Sequence, residues 1–385
     1  MHAQMTSRER VNAAISHEEP DRVPLDIGGG TSSSIAVEGY EKLKQQMGVN
    51  SETKLLSKVF RIARIAPSIS QQLRTDCLPL VIKPPSNWNP PESEPGTFID
   101  IWGIKWKQVY YHSDCFYYEA VTHPLALAEI DDLDQYPWPD PLDTGFTRGL
   151  KEDASEMYED TELAIVADGG FKSFWELGYL LRGYDRLLMD VMIQPEFVWA
   201  LLSKLLEINL AGTGKFLDAV GKYIQVFRTA DDMATQSGLL ISPAAYRALI
   251  KPIYKRYYDF VKSKTDAKIF YHSCGNVVDL LDDLIEIGLD ILNPVQVSAM
   301  GDTSELKARF GDKLVFWGAV DTQHVLPKGS TREVEEEVKR RIRDLAPGGG
   351  YVAAPVHNLQ PDVPPQNIIA MAKAVHRFGK YPINL

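Results

Sequence analysis

Eight short apolar runs, each followed by a segment of helical period, organise this sequence. They are 22–27 (RVPLDI), 76–82 (DCLPLVI), 163–168 (LAIVAD), 223–228 (YIQVFR), 267–271 (AKIFY), 289–293 (LDILN), 313–317 (KLVFW) and 350–354 (GYVAA). The runs are continuous rather than strictly alternating, as in strands buried on both faces. Strands that alternate with helices imply a parallel sheet. Eight of them allow a closed (β/α)₈ barrel of the TIM type. A doubly wound open sheet is the alternative, but no G-x-G-x-x-G follows the first run.

The intervening helices carry start signals. Ser242-Pro243 precedes AAYRALIKPIYKRYYDFV, Pro195 opens EFVWALLSKLLEINL, and Pro364-Pro365 opens QNIIAMAKAVHRF. Proline suits a first helical turn, where its missing N–H has no partner to lose. Thr331 precedes REVEEEVKRRIRDL, whose Glu-to-Lys/Arg spacing describes a solvated face. A helical segment is expected before the first strand. Residues 97–121 break the alternation: they have period two, are rich in aromatics, and read as an inserted antiparallel hairpin with His112-Ser113-Asp114 near its turn. With 385 residues and no Ser/Gly linker, residues 1–385 are expected to form one barrel domain.

Charge and cysteine content narrow the function. The net charge is −11, with no basic block, which disfavours nucleic acid and anionic membranes as partners. Three cysteines and an N-terminus without an apolar core point to the cytoplasm and to no secretory leader. The most apolar long stretch, 187–210, is broken by Asp190, Glu196, Lys204 and Glu207, so no membrane span is expected.

In such a barrel the chemistry lies just after the strand ends, on one face. Polar residues follow six of the runs in order: Asp168-Gly169-Gly170; Asp231-Asp232, then Gln236; His272-Ser273-Cys274-Gly275; Pro294-Val295-Gln296; Asp321 and Gln323; and His357-Asn358. His272 and Cys274 are two apart, so an imidazole and a thiolate can reach one soft divalent ion, with Gly275 turning the chain behind them. The plainer account is a buried cysteine beside a hydrogen-bonded histidine. His357, at the end of the last run, supplies a third donor for zinc. Three ligands and an open position describe a catalytic site. Asp232 is a fourth ligand, a partner orienting an imidazole, or a helix cap. Asp232 is also a catalytic candidate, together with Asp321 and Gln323, while Gln236 and Gln296 line the same mouth as cofactor contacts. His17, His324 and His376 lack a ligand-spaced partner and are expected at the surface. Tyr254, Tyr257 and Tyr258 are expected to pack on the sheet. Gly348-Gly349-Gly350 reads as a loop admitting the last strand.

RVPLDIGG, DIWGIKW, TADDMATQSGLLISPAAYRALIKP, YHSCGNVVDLLDDLIEIGLDILNPVQVSA, LKARFGDKLVFWGAVDTQ and GGGYVAAPVHNLQPDVPPQNIIAM together resemble the uroporphyrinogen decarboxylase superfamily, and within it the corrinoid-dependent methyltransferase branch. The resemblance implies a (β/α)₈ barrel. Decarboxylases of this superfamily carry an Arg-Gln-Ala-Gly stretch after the first strand to hold substrate carboxylates. Here that place reads Asp26-Ile27-Gly28-Gly29-Gly30, with no arginine. The methyltransferases carry H-x-C-G, matched by His272, Cys274 and Gly275, and bind zinc. Their usual third ligand is a cysteine, where this chain has His357. The resemblance thus implies methyl transfer between a small methyl ether or thiol and a corrinoid carried by a separate protein. The alternatives are a uroporphyrinogen decarboxylase, or a non-catalytic barrel that binds a tetrapyrrole or a metal.

Overall fold

The computed structural model describes residues 4–86, 88, 94–111, 115–171 and 173–385. Seven parallel strands form one curled sheet: β1 Cys77–Val81, β2 Ala164–Asp168, β3 Val226–Ala230, β4 Lys268–His272, β5 Ile291–Asn293, β6 Val315–Val320 and β7 Tyr351–Pro355. Their spatial order follows the chain from β1 to β7. The fold is α/β and TIM-barrel-like. The run at 22–27 is not a regular strand. Leu25 makes a parallel bridge to Ala353, the Asp26 N–H donates to the Ala353 carbonyl at 2.8 Å, and the Asp76 N–H donates to the Leu25 carbonyl at 2.8 Å. The segment therefore links β7 to the residue before β1. Pro24 has no N–H to extend the ladder, so pairing stops at a bridge. The fourth run also shifts: β3 starts at Val226, because Tyr223 closes a turn onto the Val220 carbonyl.

Alternate residues of the strands fill the barrel interior. Cys77, Val166, Val226, Phe270, Val315, Trp317 and Ala354 form one apolar cluster with Val11, Ala14 and Ile15 of the helix Ser7–Ile15. That helix plugs one end, as the expected N-terminal helical segment. It starts with a capping box between Thr6 and Glu9. Burying each large apolar side chain here contributes roughly 1.5–3 kcal/mol. Asp76, fully buried, ties helix, bridge segment and sheet together. It accepts from Arg10, from Arg22, from the Leu25 N–H and from Ser7 Oγ at 2.7–2.9 Å.

The insertion at 97–121 is antiparallel, but it holds three strands, Thr97–Ile99, Lys105–Tyr110 and Phe116–Ala120, instead of a two-stranded hairpin. Asp100 adds the extra turn: its Oδ1 accepts from the Trp102 and Ile104 N–H groups. His112, Ser113 and Asp114 lie outside the described residues.

The helix opened by Pro243 widens into a π-turn at Tyr246–Ile250 before Lys251–Lys262. Pro252 cannot donate within the helix, which favours such a break. The helix Thr331–Leu345 is capped by Ser330, with Glu333 completing a capping box. Its charged face is not wholly solvated, since the Arg341–Glu337 pair is buried. His324 is exposed, but His17 and His376 are half-buried, contrary to expectation. His376 faces inward from the helix Pro365–Phe378, its Nε2 2.9 Å from the Leu73 carbonyl. Tyr254, Tyr257 and Tyr258 are fully buried, as expected. Among the described residues, no helix is long and apolar enough to cross a membrane.

Candidate metal centre

On β4, Phe270 points into the barrel interior, and strand period two sends His272 the same way one layer higher. His272 lies in register with Ala230 on β3 and Asn293 on β5. Its Nδ1 is 2.5 Å from Asn293 Oδ1, and the Asn293 amide donates to the Trp317 carbonyl at 2.8 Å. The other ring nitrogen, Nε2, lies 3.5 Å from Cys274 Sγ.

The loop holding Cys274 is fixed by its neighbours. Its N–H donates to Asp232 Oδ1 at 2.8 Å, and the Gly275 N–H donates to Gln296 Oε1 at 2.7 Å. Ser273 Oγ accepts from the Met233 N–H at 3.0 Å. Gly275 has φ +85°, and a Cβ there would lie 2.5 Å from the Ala234 and Thr235 carbonyl oxygens. Only glycine fits that turn.

His357 follows β7 across the barrel mouth, its ring centroid 6.2 Å from that of His272. One donor atom from each of His272, Cys274 and His357 lies within 4.8 Å of the other two. Two ligands of a tetrahedral zinc, at about 2.1 Å (N) and 2.3 Å (S), would stand about 3.6 Å apart. The observed 3.5 Å between Nε2 and Sγ fits that spacing. The donor set therefore suits a soft dication.

Electrostatics favour neutral imidazoles. Burial lowers the His272 pKa to about 4, with Asp232 opposing the shift and Arg228 adding to it. Burial lowers His357 too, again with Asp232 opposing. The Cys274 thiol moves the other way, raised by burial and then by the negative charges of Asp232 and Glu176. A bound dication would reverse that preference by replacing the thiol proton.

Two cavities meet at this trio. One, of about 380 Å³, is lined by Thr31, Phe60, Glu176, Arg228 and Asp232 beside His272 and His357. The other, of about 420 Å³, is lined by Gln236, Gln296 and Gln323 beside Cys274 and His357. His357 borders both. A larger cavity, of about 680 Å³, lies outside the barrel between Gln72–Arg74 and the helix Pro365–Phe378, and holds none of these groups.

The expected site residues take different positions. Asp232 is on the cavity wall, and its Oδ1 accepts from the Cys274 N–H. Gln236 and Gln323 are exposed on the second cavity, while Gln296 is buried and bonded to Gly275. Asp321 is turned away into its own loop, its Oδ1 accepting from the Gln323 and His324 N–H groups at 2.6 and 3.0 Å.

The sequence profile of the uroporphyrinogen decarboxylase (URO-D) family matches residues 120–378. The chain belongs to the URO-D family. Similar curated proteins include the uroporphyrinogen decarboxylase of Serratia proteamaculans, 33% identical over 281 residues, covering 69% of this chain and 74% of that protein. The uroporphyrinogen decarboxylase of Alkalilimnicola ehrlichii is 24% identical over 272 residues, covering 67% and 68%. Among solved structures, a methyltransferase from Methanosarcina mazei has the same fold, with TM-score 0.68 and 18% identity over 97% of this chain and 99% of that one.

Three residues of this URO-D chain take roles that the sequence did not assign, although Asp231 was already among the polar residues after the runs. Asn293 contacts His272 directly. Arg228 projects from β3 into the first cavity, where its Nη1 donates to Asp168 at 3.0 Å. Asp231, fully buried, accepts from the Phe174, Trp175 and Glu176 N–H groups and so caps the helix Trp175–Arg182 that brings Glu176 to the cavity. For Arg228 and Asn293, the available signal was a polar residue ending an apolar run.

Proposed function

We propose that this URO-D family member is a zinc-dependent methyltransferase. It moves a methyl group between the heteroatom of a small methyl ether or thiol and a corrinoid cofactor borne by a separate protein. The observation that carries the reading is the convergence of His272, Cys274 and His357 beside a cavity open to a small molecule. The methyltransferase fold of the Methanosarcina mazei protein supports it as a likeness of architecture.

In this reading His272 Nε2, Cys274 Sγ and a His357 ring nitrogen hold the metal. Zinc, when bound, supplies a Lewis acid that stabilises negative charge on the heteroatom losing or gaining the methyl. Cys274 enters as a thiolate, having given up its proton on metal binding. Asn293 keeps a proton on His272 Nδ1, so Nε2 offers a lone pair. Asp232 holds the Cys274 loop through the backbone. One thiolate and two neutral imidazoles leave a local charge of +1, whereas a second thiolate would cancel it. That charge favours weak oxygen ligands such as methyl ethers and their phenolate products.

The names of the curated relatives favour a second reading, uroporphyrinogen decarboxylation. Two features weigh against it. The stretch Asp26–Gly30 contains no arginine, and among the described residues the cavity wall carries Asp168, Glu176 and Asp232 against the single guanidinium of Arg228. A polycarboxylate would meet like charge there.

The test pairs two assays. Zinc-reconstituted protein is incubated with a reduced corrinoid and either methoxylated aromatics or methyl thioethers, and methylcobalamin is followed by absorbance. In parallel, metal-free protein is offered uroporphyrinogen. Methylcobalamin formation that needs zinc is expected. Decarboxylation without zinc, and no methylcobalamin with any donor, would overturn the proposal.

A further inference from the structure

A buried chain of hydrogen bonds runs from the bridge segment at Asp26 to the candidate metal ligand. The Gly29 N–H donates to Asp26 Oδ1 at 2.7 Å, and Trp317 Nε1 donates to Asp26 Oδ2 at 2.9 Å. The Trp317 carbonyl accepts from Asn293 Nδ2 at 2.8 Å, and Asn293 Oδ1 faces His272 Nδ1 at 2.5 Å. Asp26, Asn293 and Trp317 are each no more than 3% exposed.

The chain has one consistent proton assignment. A carbonyl can only accept, so the Asn293 side must present its NH₂ to Trp317. Its oxygen is then left for His272, which must donate from Nδ1. Nε2 is thereby unprotonated and carries a lone pair toward Cys274 Sγ. Asp would lack the donor for the Trp317 carbonyl, and Leu would lack both functions. An amide fits both neighbours at once.

We infer that Asn293 is the positioning residue that fixes His272 as an Nε2 ligand, and that Asp26 acts on it from a distance by holding Trp317. This rests on reading the trio as a metal site. The Asp26–Gly30 stretch thereby supports the ligand shell from below.

The test uses full-length protein with ¹⁵N-labelled histidine. In the metal-free wild type at neutral pH, His272, assigned through a His272→Gln variant, should show the Nδ1–H tautomer. An Nε2–H tautomer overturns the inference without any further variant. Asn293→Ala should mix the tautomers and weaken zinc binding roughly 10- to 100-fold. Asp26→Asn should weaken zinc binding by a smaller factor, roughly threefold to tenfold, with Co²⁺-substituted spectra shifted. Unchanged tautomer and zinc affinity in Asn293→Ala would overturn the role of Asn293. Asp26→Asn that lowers only the melting temperature would overturn the remote role. Should the wild type have the expected tautomer yet bind no zinc, the metal reading fails while the proton assignment stands.

Discussion

His272 Nε2 stands 3.5 Å from Cys274 Sγ, the separation that two ligands of one tetrahedral ion keep. Two residues of sequence would ordinarily place side chains on the same side of a strand, about 7 Å apart. The strand ends at His272, and the left-handed turn at Gly275 folds Cys274 back toward the ring. The pairing is a product of that turn and of the Asp232 and Gln296 contacts that hold it.

Zinc affinity should rise with pH. Both imidazoles are held neutral by burial, His272 down to about 4, while burial raises the Cys274 thiol above its ordinary value. At pH 7 and above, past the ordinary imidazole value, the metal-free imidazoles are therefore neutral, while the thiol still carries the proton that binding releases. Binding should release about one proton, so affinity should climb about tenfold per pH unit. Competition with a chelator at three pH values reads the slope. A slope near zero would mean the thiol is not a ligand.

Gly275→Ala should abolish the site. The new methyl would lie 2.5 Å from two carbonyl oxygens, at a φ of +85° that alanine adopts only with strain. The backbone strain alone costs roughly 1–2 kcal/mol, and the clash adds to it. Zinc content per chain should drop well below that of wild type, and the urea midpoint should fall. Wild-type zinc content in this variant would show that the loop has another conformation that keeps the ligands together.

Asp76→Ala should be among the most destabilising single changes. It leaves the guanidinium groups of Arg10 and Arg22, both buried, without their shared carboxylate, and frees the Leu25 N–H. Breaking a buried pair in this way costs roughly 3–5 kcal/mol. The loss should appear in urea unfolding. Since Asp76 lies at the end of the barrel plugged by Ser7–Ile15, zinc affinity of the folded fraction should change little.

Much of the architecture was legible because most barrel strands begin as continuous apolar runs, several of which stop at a polar residue. His272 and His357 mark two such stops. The bridge at Leu25 was not legible, because RVPLDI has a strand's composition and only the missing Pro24 N–H limits its pairing. Nor was the role of Asn293. It ends a visible run, but its contact with His272 depends on the register of β4 against β5, which is a tertiary property. Asp321 shows the same ambiguity from the other side. It follows β6 as a catalytic residue would, yet its carboxylate is used by the two N–H groups just after it. In a single sequence, a short polar side chain at a strand end gives the same signal for turn and for chemistry.

His357→Cys offers the sharpest test of how the ligand set tunes the reaction. A cysteine is shorter than a histidine, so the loop after β7 must move inward for a second thiolate to reach the metal. If it does, the local charge falls from +1 to zero and zinc is held more tightly, because thiolate is the softer and more basic donor. The same change makes the metal a weaker Lewis acid. Turnover of methyl ethers, whose oxygen depends on that acidity, should fall by about tenfold or more, while a thiol, which binds zinc well as a thiolate, should lose much less. The measurement is the ratio of the two rates in wild type and variant, with zinc content determined on the same samples. An unchanged ratio at full zinc occupancy would mean that His357 does not set the acidity of the metal.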